Sequence, residues 1–76
     1  RLYPNPAAGL LQVAYSGETS AQFALYHGTG ALALQQPLSA NAATAVEVGV
    51  LPPGVYIAVV SADGALVCRE LVEVMR

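Results

Sequence analysis

Apolar and polar residues alternate along this chain in short runs. Glycine, proline and asparagine break the runs every 8 to 12 residues or so, the spacing expected of an all-β sandwich. Tyr3-Pro4-Asn5-Pro6 is extended and turn-forming, because each proline moves its predecessor out of the helical region. Leu10 to Tyr15 then alternates, with Leu11, Val13 and Tyr15 on one face and Gln12 on the other. Ser16-Gly17 ends that run. Ala21, Phe23 and Leu25 alternate against Gln22, Ala24 and Tyr26, which predicts a second strand. His27-Gly28-Thr29-Gly30 reads as a tight, glycine-bearing hairpin loop. The return strand is expected to turn Leu32 and Leu34 inward and to stop at Pro37.

Ser39 to Ala43 is small and polar and reads as a loop, after which Thr44, Val46 and Val48 alternate with Ala45 and Glu47. Pro52-Pro53-Gly54 is a second hard turn. Val55 to Val60 is β-branched and apolar on both faces, which predicts a central strand buried on both sides. Asp63-Gly64 is a strong two-residue hairpin signal. The last strand, from about Ala65 to Val74, is the longest. It carries Leu66, Cys68, Val72 and Val74 in one phase and Val67, Leu71 and Met75 in the other, and Arg69 and Glu70 place a bulge near them. Alanine favours helix, but Ala40 to Ala45 is too short to nucleate one. The pattern therefore predicts an all-β chain, a small antiparallel β-sandwich of about six or seven strands.

Composition narrows the function more than the fold. At 76 residues the chain makes one small domain spanning 1–76, able to bury only about 60% of its unfolded surface. It is 55% hydrophobic and 11% charged, which excludes intrinsic disorder. Net charge is −2, with three arginines and no lysine, so no basic patch exists for nucleic acid or anionic lipid. A single cysteine excludes an internal disulfide framework and a cysteine-based zinc site. No apolar run approaches the ~20 residues of a membrane span, and no signal peptide is visible. The start at Arg1 rather than methionine suggests a piece of something longer.

Candidate chemistry is thin. His27 is the only histidine, and no residues near it complete a metal site, so it reads as a polar loop residue. Cys68 has apolar strand neighbours and reads as a buried, inert thiol. The carboxylates Glu18, Glu47, Asp63, Glu70 and Glu73 would need a cleft between a facing pair to act as a glycosidase. Ser16, Ser20, Ser39 and Ser61 have no base, and the glycines form no phosphate-cradling loop. Tyr15, Tyr26 and Tyr56 fall within strands, where a core or half-buried role is commoner than a sugar platform. The residues point to no catalytic, cofactor or metal site.

The order of motifs adds what composition lacks. Tyr3-Pro4-Asn5-Pro6 opens the chain and Leu25-Tyr26-His27-Gly28-Thr29-Gly30 follows. Leu51-Pro52-Pro53-Gly54-Val55-Tyr56 comes next, and Leu71-Val72-Glu73-Val74 closes it. In order and spacing this resembles the type A family of C-terminal sorting domains of the type IX (Por) secretion system of Bacteroidota, which reads roughly Y-P-N-P, L-Y-D-x-x-G-R, L-x-x-G-x-Y-x-V and a K-L-V-V-like end. The chain departs from that pattern at His27, where the family usually has Asp, and at Ala31, where it usually has Arg. Cys68-Arg69-Glu70 also replaces the basic residues before the end.

The resemblance implies a seven-stranded immunoglobulin-like sandwich that is not an enzyme. It implies Tyr3, Pro4, Asn5, Pro6, Leu25, Tyr26, Gly30, Leu51, Gly54, Tyr56, Leu71, Val72 and Val74 as the sorting motif. The implied partners are an N-terminal cargo domain, the outer-membrane translocon and a sortase-like protease that usually removes the domain. Localisation would be the periplasm in transit, then the cell surface or the medium. So little charge leaves shape, an apolar patch or an unpaired strand edge as the recognised element, and the final strand from Leu66 to Val74 is the candidate. An exposed strand edge or Cys68 could also join two copies. The alternative is a structural or carbohydrate-binding accessory sandwich, using Tyr26 or Tyr56 for stacking.

Overall fold

The alternating runs become seven strands and no helix in a computed structural model that describes residues 2–3 and 8–75. They are β1 (Leu2–Tyr3), β2 (Leu10–Tyr15), β3 (Ala21–His27), β4 (Leu32–Leu38), β5 (Ala42–Glu47), β6 (Gly54–Ala62) and β7 (Ala65–Val74). Two antiparallel sheets form, in the orders β1-β2-β5 and β4-β3-β6-β7. This is the expected all-β sandwich. In the immunoglobulin plan the fourth strand can pair with the fifth. Here β4 pairs with β3 instead, which gives a three-on-four arrangement.

Inner positions of both sheets meet in one cluster. Leu11, Val13 and Val46 come from the three-stranded sheet, and Phe23, Leu25, Tyr56, Ala58 and Val72 from the other. Among the described residues no polar or charged side chain is buried with them. The phase read for β2 and β3 holds, as does the Asp63-Gly64 hairpin. Both of its residues have positive φ (54° and 76°), as a type I′ turn requires.

Several local expectations do not hold, and those for Leu32 and Leu66 fail for one reason. Two bulges interrupt the four-stranded sheet. Leu25 faces Leu34 but Tyr26 faces Leu32, so Ala33 is an extra residue in β4. Leu32 is therefore turned outward, 53% exposed, rather than into the core. In β7, Val60 faces Cys68 but Ser61 faces Leu66, so the expected bulge is present, at Val67, two residues before Arg69. Arg69 and Glu70 keep regular register opposite Val59 and Ala58, and Leu66 leaves the phase of Cys68 and is 64% exposed.

Other corrections concern strand ends and burial. Strand β4 runs through Pro37 to a buried Leu38, because an outer strand tolerates a residue with no N–H to donate. The expected loop at Ser39 to Ala43 shrinks to a turn, with Asn41 at φ 49°, and β5 starts at Ala42. Val48 is buried but falls just after β5. Strand β6 is central, between β3 and β7, yet only Tyr56, Ala58 and Val60 are buried while Val55 is 58% exposed. Among the described residues no sheet covers its second face.

At about 0.05–0.15 kcal/mol per residue, a domain of this length has roughly 4–11 kcal/mol of stability. Phe23 is fully buried. Phe23→Ala should cost about 3–5 kcal/mol and leave much of the chain unfolded. Val50→Ala, at an exposed site, should stay within about 0.5 kcal/mol of the parent. Urea denaturation followed by circular dichroism measures both.

Candidate functional site

The connection from β5 to β6 is held mainly by backbone bonds. The N–H groups of Val48 and Gly49 both donate to the Gly9 carbonyl, at 2.8 and 3.1 Å, and Leu51 N–H donates to the Val48 carbonyl at 3.0 Å. Pro52 and Pro53 then fix φ through the turn. The buried Tyr56, the third residue of β6, donates its hydroxyl to the Pro52 carbonyl at 2.5 Å. A tyrosine at the start of a strand, bonded back to the backbone just upstream, is a tyrosine corner of the kind immunoglobulin-like sandwiches use.

The β3–β4 hairpin lies beside this corner. His27 N–H donates to the Ala31 carbonyl at 2.8 Å, and Gly30 N–H donates to the His27 carbonyl at 2.9 Å. Gly30 has φ +95°, a conformation that favours glycine. His27 is not a plain loop residue. It ends β3 opposite Tyr56, and the two rings sit 5.2 Å apart at 45°. Sequence reading missed this contact, because a histidine beside two glycines looks like a turn.

Strand register brings most of the motif residues together. His27, Tyr56 and Val72 form one cross-strand row, Tyr26, Ile57 and Leu71 the next, and Gly54 pairs with Val74. Leu25, Tyr56, Val72 and Val74 point into the core, and Leu51 is half-buried against it. Tyr26 and Leu71 face outward. Tyr3 stands apart, paired with Gln12 in the other sheet. Pro4, Asn5 and Pro6 lie outside the described residues.

At the far end of β6 an open cleft of about 320 Å³ is lined by Leu2, Val13, Tyr15, Val60, Val67 and Cys68, among others. Cys68 is free and half-buried there. The Tyr15 ring lies over Gly17, in space that a side chain at position 17 would need. Among the described residues no group of three His, Cys, Asp or Glu side chains is placed to hold a metal.

Residues 1–73 match the family described as the secretion system C-terminal sorting domain. The chain belongs to that family. No curated protein and no solved structure gave a match. As a type IX sorting domain it is a signal for export to the cell surface or the medium, and it interacts with the secretion machinery. The family is one of sorting signals, not of catalysts.

Tyr56→Phe in this sorting domain removes the bond to Pro52 while keeping the buried ring. It should lower stability by about 0.5–1.5 kcal/mol with the fold intact. A urea midpoint lowered at constant slope is the expected result.

Proposed function

We propose that this chain is a single sandwich at the C-terminus of a larger exported protein. The cargo crosses the inner membrane, folds in the periplasm and is carried through the outer membrane because the translocon recognises this domain. A sortase-like protease then removes the domain and the cargo is anchored at the surface. The observation that carries this reading is the family match over residues 1–73. The convergence of Leu25, Tyr26, Tyr56, Leu71, Val72 and Val74 on adjoining strands supports it.

Within this reading the motif residues divide by role. Leu25, Gly30, Leu51, Gly54, Tyr56, Val72 and Val74 shape the sandwich, whereas Tyr3, Tyr26 and Leu71 present side chains that a receptor could touch. Strand β7 is the recognised element: it lies at the end of the four-stranded sheet and exposes Leu66 and Leu71. An accessory sugar-binding module is the weaker reading, since Tyr56 is buried and only Tyr26 remains of the two rings considered for stacking.

The test is a fluorescent reporter carrying a signal peptide and this domain, expressed in a strain with a working type IX system. Translocon-dependent appearance at the surface or in the medium is expected, and equal export from a translocon-deficient strain sinks the sorting role. Truncating β7 is a poor probe, because it removes Val72 and Val74 from the core. The double variant Leu66→Asp/Leu71→Asp should instead reduce export by about tenfold or more with the fold retained. Val50→Asp is the exposed control. Unchanged export by the folded double variant removes β7 as the recognised element.

A further inference from the structure

The outer face of the four-stranded sheet carries an apolar row that crosses every strand. Leu32 pairs with Tyr26, Tyr26 with Ile57, and Ile57 with Leu71. Leu32 and Leu71 are 53% and 62% exposed, and Tyr26 and Ile57 are half-buried. On β6, Val55 and Val59 stand two residues to either side of Ile57. On β7, Glu73 and Arg69 stand two residues to either side of Leu71, opposite those two valines. Among the described residues these are the only charged side chains on the outward phase of the sheet.

We propose that this face is self-complementary and docks a second copy of the chain, in a symmetric dimer whose two-fold axis runs along the Leu32–Tyr26–Ile57–Leu71 row. Rotation about that axis inverts each strand and carries the residue two before the row onto the residue two after it. Every row residue then meets its own counterpart, and Val55 meets Val59. Arg69 of each copy meets Glu73 of the other, so two cation–anion contacts close over an apolar centre. Such self-matching is what an isologous interface demands. A like-charged pair at positions 69 and 73 would forbid it.

The edges of the same sheet argue for the face. Both outer strands carry bulges, at Ala33 and Val67, and β4 also carries Pro37. These are the devices that discourage edge-to-edge pairing. Area places the contact in a size class. Strands about 4.8 Å apart and about 3.3 Å per residue give a flat face of roughly 450 Å² per copy, or about 900 Å² for both. That is small for a specific interface, so the dimer is weak, with a dissociation constant on the order of 100 µM.

Sedimentation velocity on the 76-residue chain, from about 10 µM to about 1 mM with reductant present, tests the proposal. Reductant keeps Cys68 from linking copies. A reversible monomer–dimer shift is expected. Arg69→Glu alone and Glu73→Arg alone should each weaken the dimer by about tenfold or more, because each homodimer then opposes like charges twice. An equimolar mixture of the two variants should recover the dimer. One variant then carries a carboxylate at both positions and the other a guanidinium at both, so each contact across the axis again joins opposite charges. Recovery on mixing also shows that both variants are folded. A chain that stays monomeric to about 1 mM overturns the proposal and leaves the face to another partner, such as the secretion machinery. A dimer indifferent to either reversal, or a mixture that stays monomeric, overturns it as well.

Discussion

Phe23 and Leu25 on one sheet and Leu11, Val13 and Val46 on the other exclude water from a single apolar cluster, and the rest of the molecule follows from that contact. In 76 residues there is room for one such layer and no more. A charged group placed there would cost several kcal/mol unless paired, and no described polar or charged side chain is buried. Function is thereby pushed to the turns, the outer face and the strand ends. A sorting signal, read from outside by a large machine, is the kind of task such a domain can carry.

The inner layer was legible in the sequence because it depends only on period-two alternation. Leu11 with Val13, and Ala21 with Phe23 and Leu25, show it without ambiguity. What alternation cannot show is where it slips. An extra residue at Ala33 or Val67 leaves the letters unchanged while reversing which face Leu32 and Leu66 occupy. Burial on the second face of β6 was also illegible, since Val55, Ile57 and Val59 are as apolar as residues facing a covering layer. Whether a layer covers them is a property of topology.

The motif residues show the same division. Tyr56 could be read as apolar and strand-borne, but its bond to Pro52 and its contact with His27 need the corner and the hairpin to be adjacent. The departures from the family pattern at His27 and Ala31 become intelligible on the same ground. In the hairpin, position 27 contributes its backbone N–H and carbonyl and position 31 its carbonyl. Every residue but proline carries those groups, so the turn survives the exchange of Asp and Arg for His and Ala. The imidazole adds packing against Tyr56 that the turn itself does not require.

Low charge and blunted edges together decide what kind of surface remains. With three arginines and five carboxylates in the chain, long-range steering is weak, and a partner must rely on contact. Bulges at Ala33 and Val67, with Pro37 in β4, make the edges of the four-stranded sheet poor templates for adding a strand. Side chains on the outer face escape both limits. Tyr26, Ile57 and Leu71 sit on adjoining strands with a rigid sheet behind them, so contact there costs little ordering entropy. Recognition by side chains on a preformed face, rather than by completing a backbone ladder, lets a folded domain be read without first being opened.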